Sequence, residues 1–257
     1  MIGLVDRYTL LARVGPAVLV GMAACLAVTA WIPFAEWPIK LAAGSTVIAI
    51  VAMVLGQLVR DAGKAIEKPL WAKWGGPPTA RMLRHRDETV RPGLKASLHA
   101  RMVELGFVER MPTKQEEDED PAGAELLYET CSDRLRNKAL ELKAKPPFDV
   151  VHQENISYGF RRNLLGIRSY ALCIVAASFL GAAAAFLFGR HPYLEAGGII
   201  VIAAAILASA NESALKRTAD NYSERLLNAV DAIPQQARTA ATRHRENSAG
   251  PRVRQLK

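Results

Sequence analysis

The sequence predicts an all-α polytopic membrane protein, two transmembrane helical hairpins with a helical cytoplasmic domain between them. Four apolar segments carry this prediction: Gly15 to Phe34, Lys40 to Val59, Ser169 to Gly189 and Tyr193 to Ala210. Each is about 18–21 residues long, enough to cross about 30 Å of hydrocarbon at 1.5 Å per residue, with no ionised side chain in its middle. Composition agrees. Half of the 257 residues are hydrophobic, yet the mean hydropathy is only +0.06, so the apolar residues are concentrated and the remainder is strongly polar. Charge agrees as well. The net charge is +8, and of 33 Lys and Arg only Lys40 and Arg190 fall in the short connections within the pairs. Cytoplasmic flanks are enriched in Lys and Arg, which places both termini and the central block in the cytoplasm.

Residues 1–13 are read as a cytoplasmic N-terminus carrying Arg7 and Arg13. Val28-Thr29-Ala30 has the small residues of a signal-peptide cleavage site. The apolar run before it is longer than the about 7–15 residues of such signals, and cleavage would leave an odd number of spans. Residues 14–59 form the first expected hairpin, turning through Pro33, Glu36, Trp37 and Pro38. Trp31, Phe34 and Trp37 fall at the outer interface, where amphipathic rings are favoured.

Residues 60–168 form the expected cytoplasmic domain. Leu58 to Trp71 extends the second span as a stalk, which Gly75-Gly76-Pro77-Pro78 breaks. Thr79 is placed as the N-cap of a short helix, Ala80 to Glu88. Leu94, Leu98, Met102 and Leu105 mark an amphipathic helix that Gly106 stops. The acidic run Glu116, Glu117, Asp118, Glu119, Asp120 reads as an exposed, mobile loop. Leu127, Cys131, Leu135, Ala139 and Leu142 share one face of a second helix, and Asn155 to Gly166 forms a second stalk.

Residues 169–210 form the second hairpin, turning through Arg190, His191 and Pro192. Its Gly and Ala content, with that of the first segment, suits close helix packing within one chain and between subunits, and a homo-oligomer is expected. Residues 211–233 carry a seam, Leu215, Ala219, Tyr222, Leu226, Ala229 and Ile233, suited to pairing with another subunit or to covering the central helices, the second being the reading favoured. Residues 234–257 form a polar, basic tail read as disordered.

The motifs argue against an enzyme. His85-Arg86-Asp87 matches the catalytic-loop tripeptide of protein kinases, but the Asn that must follow five residues later is Pro92 here. No Walker loop, paired-His helix or nucleophile elbow occurs. Cys25, Cys131 and Cys173 have no metal-ligand spacing. No catalytic residue, metal site or cofactor is expected. The spans lack buried ionisable groups, which disfavours a coupled transporter.

Two clusters remain. Arg81, Arg84, His85 and Arg86 form a basic group suited to a small anionic ligand or to anionic lipid heads. Nucleic acid is disfavoured because many acids offset the basic residues. Trp71, Trp74, Gly75 and Gly76 sit beside one hairpin, and Tyr158, Phe160 and Asn163 beside the other. If these pack together, they would join the cytoplasmic domain rigidly to both hairpins.

The stretches Leu70 to Thr79, Leu83 to Asp87 and Asn155 to Leu164 resemble those of a poorly characterised bacterial family of four-span membrane proteins. The arrangement of spans is similar to transmembrane effectors of bacterial antiphage defence systems. The resemblance implies a bacterial inner-membrane protein that answers a cytoplasmic signal, from a protein partner or small ligand, by disturbing the bilayer. The alternative is a membrane anchor or scaffold that recruits a cytoplasmic partner.

Overall fold

The computed structural model describes residues 7–31 and 37–234, and every regular element among them is helical. A π-helical turn, Thr9–Val14, leads into α1 (Gly15–Thr29), with Pro16 in the first turn, where no intrahelical donor is needed. Then come α2 (Trp37–Lys73), α3 (Pro78–Leu83), α4 (Pro92–Glu104), α5 (Lys114–Glu119), α6 (Pro121–Glu141), α7 (Phe148–Gly166), α8 (Arg168–Leu187), α9 (Tyr193–Ser209) and α10 (Glu212–Asn228). Pro33 and Glu36 of the expected turn, Phe34 between them and the tail beyond Pro234 lie outside the described residues, as do the side chains of 37–52; the other two expected turn residues, Trp37 and Pro38, are instead the first residues of α2.

Among the described residues, two helical stretches are long and apolar enough to cross a membrane, Thr9–Thr29 with 21 residues and Arg168–Leu187 with 20. A third candidate is α9 taken together with α10, a pair bent by 59°. The bend falls at Asn211, whose side chain accepts a hydrogen bond from the Ala214 amide and starts α10 as a new helix.

Among the described residues the interior divides into three apolar clusters. The first holds α1, α8 and α9 together. Ala171, Val175, Ala182 and Ala185 of α8 recur at helical spacing and meet Ile199, Ile202 and Ile206 of α9 with Val20 and Ala23 of α1. Small residues on two helices receive the isoleucines of the third, the packing that suits helices in lipid. A β-carbon at Gly198 would fall 2.8 Å from Leu26 Cδ1, so α9 and α1 approach closely there. The outward faces are apolar: Leu180 and Leu187 of α8, and Leu194 and Val201 of α9, are exposed.

The second cluster is the core formed by α3, α4 and α6 with the end of α10. Met82 and Leu83 of α3, Leu98 and Met102 of α4, Tyr128, Cys131 and Leu135 of α6, and Leu226 and Leu227 of α10 are all buried in it. Gly106 adopts φ +72° and stops the turn after α4. The seam on α10 covers the central helices. Leu215, Ala219 and Leu226 are buried along it, as are Ala229 and Ile233 just beyond the helix, with Tyr222 half-buried.

The third cluster, smaller, lies between the other two. It comprises Trp74, Tyr158, Leu215 and Ala219, with Leu70, Trp71 and Leu165 packed against them. Helix α7 connects all three clusters: Phe148 and Val151 enter the second cluster, Tyr158 the middle one and Leu164 the membrane-type cluster. At about 1.5 Å per residue, its 19 residues reach about 28 Å.

Two local expectations are corrected. The acidic run is not a mobile loop. Thr113 caps α5 with a reciprocal bond to Glu116, and Glu117 turns inward to only 2 % exposure. Thr79 is not an N-cap either. Pro77 holds that position, α3 ends at Leu83, and the Thr79 hydroxyl pairs with Ser223 across to α10 at 2.9 Å.

Candidate functional site

The middle cluster lies where α2 and α7 meet α10, and its geometry starts from glycines. A β-carbon at Gly166 would fall 2.6 Å from the Ala62 carbonyl carbon, and one at Gly63 would fall 2.8 Å from the Asn163 Cα. These glycines let α2 and α7 cross backbone to backbone. Gly159 does the same for the N-terminal turn: a β-carbon there would lie 3.0 Å from Ala12 Cβ.

A polar chain runs through this crossing. Glu67 of α2 accepts a hydrogen bond from the Tyr158 hydroxyl at 2.8 Å and from Arg162 Nη1 at 3.0 Å. Arg162, whose side chain is 9 % exposed, also donates through Nε and Nη2 to Asn163 Oδ1. Asn163 Nδ2 donates to the Ala12 carbonyl at 2.7 Å, inside the π-helical turn. Every nitrogen of the Arg162 guanidinium thus has an acceptor, as a charge this deep requires. Burial, then the Glu67 charge, raise the Tyr158 hydroxyl above its ordinary pKa, so it stays a donor.

The far end of α2 is tied to α10. Glu212 accepts from Lys73 Nζ at 2.7 Å and from Trp74 Nε1 at 3.2 Å. Gly75 and Gly76 then adopt φ +85° and +122°, a turn that side chains oppose. Phe160 stands apart from these residues. It packs on the membrane-type cluster against Gly15.

The basic group lies on the other side of that turn. Arg84 makes two 2.6 Å bonds to the Glu125 carboxylate and a third to the Gly75 carbonyl. Arg81 pairs with Asp87 at 3.2 Å and Asp220 at 2.9 Å. His85 Nε2 lies 2.9 Å from the Pro112 carbonyl oxygen, and its amide donates to Glu117. Arg86 is the most open of the three arginines, with 55 % of its side chain exposed, and lies 3.5 Å from Glu117. Burial pushes the Glu117 carboxyl up, but bonds from Tyr128 and the His85 and Arg86 amides hold it below its ordinary value.

Next to the middle cluster opens a cavity of about 330 Å³. Its walls come from α2, α3, α6, α7 and α10, together with Tyr8. Lys64, Arg136 and Arg162 line it alongside the single carboxylate of Glu67. The rings of Tyr158 and Tyr222, both in its wall, lie within 10° of parallel with centroids 6.5 Å apart. Burial pushes the Tyr222 hydroxyl up to about 12 against the opposing charge of Arg136. Ser132 is 2 % exposed, and its hydroxyl has no hydrogen-bond partner among the described residues.

Trp71, Trp74 and Tyr158 thus meet in one cluster, with Gly75 and Gly76 at its edge and Asn163 in the adjoining polar chain. Sequence reasoning did not single out Glu67, Ser132 or Arg136. The signal for Glu67 was present: it is a lone acid between Lys64 and Lys68 in a stalk that faces Arg161 and Arg162. No protein-family model, curated protein or solved structure matches the chain.

Proposed function

We propose that this chain is a non-enzymatic inner-membrane effector or sensor. Its cytoplasmic helices receive a small anionic ligand or a protein signal, and its oligomeric spans respond by permeabilising the bilayer. The observation that carries this reading is the position of the cavity. Cytoplasmic helices α3, α6 and α10 wall it together with the stalk parts of α2 and α7. An occupant would therefore bias how the stalks sit against the cytoplasmic core, which is the differential contact a switch requires.

The proposed topology has four spans, with both termini and residues 60–168 in the bacterial cytoplasm. The Lys and Arg distribution and the apolar helices support it. Lys64 and Arg136, which line the cavity, are better candidates for anion contact than Arg81 and Arg84: Arg136 pairs only with the exposed Asp133, whereas the guanidiniums of Arg81 and Arg84 are held by more buried carboxylates. The likeness of span arrangement to antiphage effectors favours the same reading. Exposed apolar faces on α8 and α9 favour association with lipid and with further copies.

The test is dye entry and membrane potential in cells induced to express the protein, alone and with its genomic neighbours. Depolarisation is expected, and it should be lost when the spans are replaced by unrelated ones. Unchanged potential in both settings, with insertion confirmed, would overturn the effector reading and leave the anchor or scaffold.

A further inference from the structure

We infer that the cavity takes a nucleoside monophosphate-like ligand. Its flat base would lie against the Tyr158–Tyr222 pair, its hydroxylated middle at Ser132, and its phosphate at Arg136 and Lys64. This rests on the reading of the cavity as the site that receives the signal, and names the chemistry that would occupy it.

Three independent features point to such a ligand. The first is the ring pair. Tyr158 and Tyr222 are near parallel, and a centroid spacing of 6.5 Å is at the wide end of the about 4.5–7 Å seen for packed rings. Both residues contribute to the wall of the cavity, and aromatic faces are surfaces on which bases stack without hydrogen-bond readout. The second is Ser132. A buried hydroxyl without a partner costs free energy that a ligand hydroxyl or carbonyl would recover. The third is charge. Arg162 is already engaged by Glu67, whereas Arg136 holds only an exposed pair with Asp133, three residues earlier on α6. Such pairs contribute little, so Arg136 can turn to a phosphate at low cost. At about 330 Å³ the cavity falls in the range of small-ligand sites, about 300–1,000 Å³. A lipid headgroup would use the cations but has no flat ring to lie against the tyrosine pair.

The experiment is calorimetric titration of the full chain in lipid nanodiscs with AMP, GMP, CMP and UMP, each against its nucleoside and against inorganic phosphate. At least one monophosphate should bind at least tenfold more tightly than both of its parts. Arg136→Gln, at an exposed position, and Tyr222→Leu should each weaken that binding at least tenfold. Equal binding of inorganic phosphate would overturn the inference in favour of a simple anion or headgroup site. So would the absence of binding by all four, or binding indifferent to both variants. Dye release from liposomes holding the same protein separates this from the effector reading. Binding without release would remove the effector and keep the site. Depolarisation in cells with no monophosphate binding would do the reverse.

Discussion

A β-carbon added at Gly63 would fall 2.2 Å from Oδ1 of Asn163 and 2.8 Å from its Cα, so α2 and α7 touch through this pair without room for a methyl group. Asn163 cannot withdraw, because its amide is held by Ala12 on one side and Arg162 on the other. Gly63→Ala should therefore lower stability by about 1–3 kcal/mol, the usual cost of overpacking. Gly21, with nothing within 4 Å of its β-position, is the control, and Gly21→Ala should leave stability unchanged or slightly raised. Thermal unfolding in detergent reads both, and equal midpoints would contradict the close crossing.

The Glu67–Arg162 pair makes a second prediction. Glu67→Ala leaves the guanidinium buried without its carboxylate, which should cost about 3 kcal/mol. Adding Arg162→Met removes the stranded charge and should recover a large part of that loss. A double variant no more stable than Glu67→Ala would mean that the pair is not coupled.

Stability should also depend on pH in two steps. Burial first, and the charges of His85 and Lys95 beside it, lower the His99 pKa below 6.5, although its bond to the Leu83 carbonyl opposes this. The unfolded chain therefore takes up a proton before the folded one does, and stability falls as pH drops below about 6.5. Glu117 lies below its ordinary 4.5 when folded, so its contribution holds above that pH and is lost as pH falls further. Denaturant unfolding between pH 8 and pH 3 should show both declines, with His99→Gln flattening the upper and Glu117→Gln the lower.

Arg84 and Arg86 should separate cleanly. Arg84→Gln removes a bidentate carboxylate contact and a bond to the Gly75 carbonyl, and should cost about 2–3 kcal/mol. Arg86→Gln alters an exposed side chain and should cost no more than about 1 kcal/mol. Similar losses would show that the Gly75–Gly76 turn does not depend on Arg84.

Much of the helical layout was legible in the chain. The apolar stretches now in α1 and α8, the break at Gly75-Gly76-Pro77-Pro78 and the stop at Gly106 all express local rules of length, periodicity and backbone freedom. The acidic run misled because charge density alone reads as solvent exposure. Glu117 is instead drawn inward by the Tyr128 hydroxyl and two backbone amides of the turn after α3. The basic group was visible as a cluster, but not its carboxylate partners Asp87, Glu125 and Asp220, two of them more than 40 residues away.

By itself the sequence determined that this protein is helical, that it carries stretches apolar enough for a membrane, and that its basic residues flank them. Those properties depend on neighbours a few residues apart. Only the tertiary structure decided that Glu67 meets Arg162, that Glu212 holds Lys73 and Trp74, and that Tyr158, Tyr222, Ser132 and Arg136 wall one cavity. Such contacts join residues 95 or more than 130 positions apart, as with Arg162 to Glu67 and Trp74 to Glu212. They follow from how glycine-lined helices cross, a relation between surfaces that no local pattern encodes.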